Sequence, residues 1–342
     1  MIFKIIAPVL IILIAESIWA WRDYQDTIQT PAVTGNSVVI EILKGDSFNQ
    51  ITDKLVKQNV SIKPFWFKVI AVQTKAFKKL KTGEYELSPG ITMPEILTLF
   101  VQGKTKQHAI TFPEGWSFKE ILKEIKNNQY LDHDSNNLSL EKLMTQVGSD
   151  TTQTPGPITS PEGNFFPDTY FFEKHTSDIA LLKRAYDKMQ LVVKDEWQHK
   201  AENLPFKTPY EALILASIIE KETAQINERP LIAGVFIKRL QAGMLLQTDP
   251  TVIYGMGESY QGNISYNDLK TATSYNTYII KGLPPTPIAM PGRDAINAAL
   301  HPDTSNNIYF VARGDGTHQF SATLKEHNLA VENFQRKKND PR

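Results

Sequence analysis

The chain contains no cysteine, which excludes thiol nucleophiles, thiolate metal sites and disulfides together. An excess of one charge is also lacking. Lys and Arg number 37, as do Asp and Glu, so there is no basic footprint for nucleic acid. No Gly-x-Ser-x-Gly, phosphate loop or dinucleotide fingerprint occurs. His301, His318 and His327 show no compact ligand spacing and read as solvated or structural, so neither a metal nor another cofactor is expected. What remains is a 342-residue chain long enough for about two domains with sizeable cores.

The first 21 residues are apolar in character. Ile5 to Ala15 form a run preceded by Lys4 and closed by Ile18-Trp19-Ala20-Trp21, with Pro8 and Glu16 weakening it. The length is near the lower end for a spanning helix, the tryptophans suit an interface, and the preceding positive charge favours a cytoplasmic amino end. The expectation is an uncleaved transmembrane signal anchor over 1–21, with the rest of the chain outside the cytoplasm. A cleaved signal peptide and a buried core helix are the alternatives; no small-x-small site follows the run convincingly.

Residues 22–36 read as a polar linker. Strand–turn–helix units follow. Val38 to Leu43 is strand-like and leads to Gly45-Asp46-Ser47-Phe48; Ala109 to Phe112 is strand-like and leads to Gly115-Trp116-Ser117-Phe118. Ser47/Gln50, Thr92/Glu95, Ser117/Glu120 and Thr323/Glu326 all have capping-box spacing. The Gly-Asp-Ser-Phe-x-x-Ile opening resembles a LysM glycan-binding module over 37–105, and ordinary capped amphipathic helices explain it equally. Residues 106–342 form the larger domain, with a polar excursion at 130–160 containing Thr154 to Pro157. Helices are expected at 178–200, from Thr208 through Glu222, at 229–242 closed by Gly243, and at 293–300, with a strand at 308–312. Strands and helices mix without regular βαβ alternation, so the class is α+β.

Glu220 is the first candidate for chemistry. It falls within the apolar arc of its helix, between Ala216 and Leu213 in projection, while Ser217 and Lys221 mark the polar face. A desolvated carboxyl group retains its proton to higher pH, as a general acid requires. A glutamate in such a place also occurs as a structural group paired with an arginine or a backbone donor. Glu222 lies on a different side of the helix, so the two cannot act on one bond. Asp249 before Pro250 reads alternatively as a helix cap, and Glu162 to Tyr170 as a turn and edge strand.

Taken in order, these strings resemble one family, the YceG-like endolytic murein transglycosylases. They are Glu162 to Tyr170, Ala216 to Thr223, Leu246 to Gly255, Tyr275 to Tyr278, Gly282 to Pro285, His301-Pro302 and Tyr309 to Ala312. The likeness runs from about residue 38 to 330. It implies a lyase that cuts the β-1,4 bond between N-acetylmuramic acid and N-acetylglucosamine in nascent peptidoglycan and leaves 1,6-anhydromuramyl ends. It further implies action at the inner membrane, from the periplasmic side, beside peptidoglycan synthases and as a terminator of chain growth. By resemblance Glu220 is the acid, and Gln247, Asp249, Tyr254, Asn276, Tyr278, Glu162 and Asp168 contact substrate. One carboxyl group suffices because the muramyl C6 hydroxyl is the nucleophile. The rivals are a non-catalytic glycan-binding protein and a two-carboxylate hydrolase pairing Glu220 with Asp249 or Asp168.

Overall fold

The computed structural model describes residues 3–148 and 160–336. Contacts divide the chain into two compact units, Met1–His108 with Phe171–His175, and Ala109–Tyr170 with Thr176–Arg342.

The first unit contains α1 (Phe3–Gln29), β1 (Val38–Ile42), α2 (Phe48–Lys57), α3 (Pro64–Gln73), β2 (Gly83–Leu87), α4 (Met93–Gln102) and the start of β3 (Gln107–Thr111). β1 and β2 pair antiparallel with Ile40 opposite Tyr85. Alternation along them buries Ile40, Ile42, Tyr85 and Leu87 against Ile51, Leu55, Phe67, Ile96 and Phe100 of the helices. The boxes at Ser47 and Thr92 close as expected and fix where α2 and α4 begin.

Among the described residues, no helix is long and apolar enough to cross a membrane. This corrects the expected transmembrane anchor at 1–21, and with it the single-pass inner-membrane placement with a cytoplasmic amino end. The run lies in α1, a 27-residue helix, where Pro8 and Glu16 interrupt it. The same helix continues past Trp21 into polar residues that tie it to its own unit. Asp23 bonds Lys63 at 2.5 Å and Trp66 Nε1 at 2.7 Å, and Tyr24 and Ile28 pack on the core.

The second unit begins with α5 (Phe118–Asn127), β4 (Leu131–Asp132), α6 (Leu140–Val147), β5 (Thr169–Glu173) and β6 (Thr176–Ser177). β4 and β6 pair in parallel, and β3 pairs with β5. Part of the polar stretch at 130–160 is thus ordered structure, with Leu143, Met144 and Val147 of α6 buried; Thr154 to Pro157 lie outside the described residues. Then come α7 (Asp178–Gln198), α8 (Pro209–Glu222), α9 (Arg229–Gln241), α10 (Asp249–Met256), α11 (Arg293–Leu300), the antiparallel hairpin β7 (Tyr309–Ala312) and β8 (His318–Ser321), and α12 (Leu324–Val331). The architecture is mixed α+β, with two-stranded sheets among the described residues.

α8 is the centre of this unit, packed against α7, α9, α10 and α11. A helix apolar on every side is stable only when surrounded, and Ala212 to Ile219 are all buried. Ser217, expected on a polar face, is fully buried; its hydroxyl donates to Ile214 O at 2.7 Å and accepts from Ile288 N at 3.0 Å. Polarity faces outward only where there is an outside, and α8 has little of it before its last turn.

Candidate active site

The last turn of α8 carries two carboxylates into different surroundings. Glu220 has 6% side-chain exposure, and both its oxygens are occupied. Oε1 accepts from Arg229 Nη2 at 2.8 Å and Oε2 from Gly292 N at 2.9 Å. Arg229 is buried at the start of α9, and its Nη2 also lies 3.6 Å from Glu114 Oε2. Burial raises the proton affinity of Glu220, the Gly292 amide and Arg229 oppose it, and Glu114 and Asp294 add to it. The result is a buried carboxylate with a partner on each oxygen.

Glu222 stands differently. Its Oε2 accepts from Thr248 Oγ1 at 2.6 Å, while Oε1 has no hydrogen-bond partner among the described residues. It lines a cavity of about 350 Å³ together with Gln247, Asp249, Tyr278, Arg239 and His318. Burial raises its pKa most strongly. The Thr248 donor, His318 and Arg239 pull it down, and the Asp249 carboxylate pushes it up. A proton held beyond the ordinary carboxylate range on a carboxyl group with one oxygen facing a cavity is what proton donation needs.

The cavity wall is built by the turn before α10. Gln247 has a positive φ of 52°, a backbone state few non-glycine residues adopt, and its amide donates to Thr277 O at 3.1 Å. Thr248 N donates to Thr277 Oγ1 at 3.1 Å, and Thr251 Oγ1 lies 2.8 Å from the same hydroxyl. This network fixes the Thr248 hydroxyl beneath Glu222. Asp249 begins α10 and receives the Tyr278 hydroxyl at 2.6 Å; burial and this carboxylate raise the Tyr278 pKa. Arg239 donates to Ile308 O at 2.9 Å and Leu246 O at 2.7 Å, joining β7 to the turn.

Of the residues expected from sequence, Gln247, Asp249 and Tyr278 therefore share one cavity, and Glu222 shares it with them. Glu220 does not line it. Nor do the other four. Tyr254 packs edge-on against Tyr275 at 4.8 Å within the core. Asn276 is buried and spends its amide on the carbonyls of Asp268, Leu269 and Thr271, and its oxygen on Tyr278 N, so it shapes the loop. Glu162 is buried and accepts from Phe118 N, the first amide of α5, at 3.1 and 3.2 Å. Burial pushes its pKa up to about 7. Asp168 pairs with Lys188 and accepts from Thr169 N at 2.7 Å; burial opposes ionisation there, and Lys188 prevails.

From the sequence, Thr248 and Arg239 were passed over, His318 was read as solvated or structural, and Glu222 was set aside. Thr248 was signalled by its position inside the Gln247 to Thr251 string. No pattern signalled Arg239 or His318, which reach the cavity from distant parts of the chain.

Similarity to known proteins extends over most of the chain. The model of the YceG-like family matches residues 40–333. The chain is 30% identical over 328 residues to the endolytic murein transglycosylase of Bacillus subtilis (strain 168), covering 89% of this chain and 86% of the relative. It is 27% identical over 323 residues to the endolytic murein transglycosylase of Streptococcus pneumoniae serotype 2 (strain D39 / NCTC 7466), covering 86% of this chain and 58% of that longer protein. A crystal structure of a YceG-like protein from Listeria monocytogenes matches with a TM-score of 0.56 and 28% identity, over 86% of this chain and 98% of that one.

Proposed function

The chain belongs to the YceG-like family, and we propose that it is an endolytic peptidoglycan transglycosylase. It is a lyase that cuts the β-1,4 bond between N-acetylmuramic acid and N-acetylglucosamine within glycan strands. The curated relatives' names support the reaction class. The observation that carries the assignment to this site is the open Oε1 of Glu222 on the cavity shared with Asp249, Gln247 and Tyr278.

Glu222, rather than Glu220, is the acid in this reading. Proton transfer needs an oxygen within hydrogen-bond reach of the glycosidic oxygen. Glu220 has given both oxygens to Arg229 and Gly292. Glu222 donates its proton to O4 of the leaving N-acetylglucosamine as the C1–O4 bond breaks. Asp249, negatively charged beside the cleft, favours the positive charge that develops on the muramyl ring. The muramyl C6 hydroxyl then closes on C1, giving a 1,6-anhydro end, and its proton passes to a base at the site. The nucleophile belongs to the substrate, so no water has to be recruited and oriented. Gln247 and Tyr278 supply amide and phenol groups of the kind that grip sugar hydroxyls and N-acetyl groups.

An internal cut separates a growing strand from its distal part, so the reading extends to termination of glycan elongation and to a working position beside peptidoglycan synthases. The β1–α2–α3–β2 layer of the first unit is read as a LysM-like glycan contact, supported by its Gly45-Asp46-Ser47 turn and the Ser47 cap. Mass spectrometry of digested glycan strands tests the reaction. Anhydromuramyl ends, lighter than reducing ends by one water, are expected. Reducing ends would overturn the lyase and point to Glu222 and Asp249 acting together on water; an unchanged strand would leave a binding protein.

A further inference from the structure

We propose that His318 is the base that takes the proton from the attacking C6 hydroxyl, an inference that rests on the lyase reading above. His318 opens β8 and lines the same cavity as Glu222, with one-tenth of its side chain exposed. It is held by a single carboxylate in two ways. Glu228, in the turn ahead of α9, accepts from His318 N through Oε1 at 2.9 Å and bonds His318 Nδ1 through Oε2 at 2.7 Å. A carboxylate only accepts, so the neutral ring carries its hydrogen on Nδ1 and its lone pair on Nε2. Phe310 packs edge-on against the ring at 5.4 Å and 89°. Nε2 has no hydrogen-bond partner among the described residues.

A base oriented by a third group, on one cavity with an acid, is the arrangement used to activate hydroxyl nucleophiles. O4 belongs to the leaving N-acetylglucosamine and O6 to the muramyl residue, so the two proton transfers can be divided between two groups. With two groups, Glu222 gives its proton to O4 as C1–O4 breaks, and the O6 proton passes to Nε2 as O6 bonds to C1. The imidazolium is then paired with Glu228. Solvent carries the proton from Nε2 back to the Glu222 carboxylate, so both groups are restored and no water is consumed.

The test uses the full chain and peptide-free glycan strands, with release of anhydromuramyl products as readout and thermal unfolding as the check on folding. His318→Gln should lower kcat by about 10²–10⁴-fold with little change in KM. His318→Ala should regain activity with added imidazole and not with pyrazole, a ring of the same size and far weaker basicity. Glu228→Gln should lose less, and adding it to His318→Gln should lose nothing more, because Glu228 acts through the histidine. Wild-type anhydro release by folded His318→Gln overturns the proposal while the lyase reading stands. A folded His318→Ala that imidazole does not restore also overturns it; should that variant not fold, the His318→Gln rate decides. Reducing ends from the wild-type protein would instead overturn the lyase reading beneath it.

Discussion

Glu220 and Glu222 lie two residues apart on α8 and are held by different partners. Glu220 is bonded by Arg229 and the Gly292 amide, and Glu222, among the described residues, by the Thr248 hydroxyl alone. Two residues turn a helix by about 200°, so neighbours in sequence look into separate surroundings. The burial that makes a carboxylate a candidate acid is common to both. The occupied oxygens and the cavity that Glu222 lines tell them apart.

The two glutamates should therefore separate by experiment. Glu222→Gln is expected to fold normally and to lose glycan cleavage by at least about 10²–10⁴-fold. Glu220→Gln is expected to keep the chemistry and to lose about 3 kcal/mol of stability, because Arg229 is left buried without its carboxylate. Urea unfolding and product release measure the two effects. A folded, inactive Glu220→Gln beside an active Glu222→Gln would move the acid to Glu220.

The pH dependence of kcat should follow Glu222. Its proton affinity is raised chiefly by burial, and the acid works only while protonated, so activity falls as pH rises through its pKa. Thr248 donates to the charged form and opposes that rise. Thr248→Val should shift the alkaline limb to higher pH, and Thr248→Ser should leave it in place. An unmoved limb in the valine variant would mean that another group limits the rate.

Glu162 makes stability depend on pH. Its folded pKa, pushed up to about 7 by burial, lies above the ordinary glutamate value. The favourable contribution is complete below that ordinary value and is lost as pH rises through about 7, reaching about 3 kcal/mol. Glu162→Gln retains an acceptor for Phe118 N. It should match the wild type at pH 4 and exceed it at pH 9 in thermal unfolding. Equal melting temperatures at pH 9 would contradict the burial argument.

Gly234 in the middle of α9 should resist replacement. A Cβ there would stand 2.5 Å from Asp303 O, a backbone atom that cannot swing aside. Alanine would gain up to about 1 kcal/mol of helix propensity and lose about 1–3 kcal/mol to overpacking, a net destabilisation. A chemical unfolding midpoint equal to or above the wild type would refute the close approach.

Much of the fold was legible in order. Capping boxes at Ser47, Thr92, Ser117 and Thr323 set helix starts, Gly243 set a helix end, and apolar periodicity marked the helices between them, because these signals act over a few residues. The apolar run near the amino end was legible only as apolar. Its expected role as a span fails among the described residues, since the helix continues into Asp23 and Tyr24, which bind within the first unit. Gln247, Asp249 and Tyr278, named through their strings, line one cavity. Tyr254, Asn276, Glu162 and Asp168 came from the same strings and lie elsewhere, because a string fixes neighbours along the chain and leaves open which side chain turns toward the cavity.

The sequence by itself determined the α+β class, the caps and the resemblance to a family. It also determined that two carboxylates on one helix point apart, because 3.6 residues per turn is a property of the backbone. Only the tertiary structure decided which partners each of them meets. Arg229 and Gly292 close over Glu220, while Thr248, Asp249, Arg239 and His318 leave an oxygen of Glu222 open to a cavity. Those partners come from segments far apart in the chain, and hydrogen-bond occupancy is decided by distances that only folding sets.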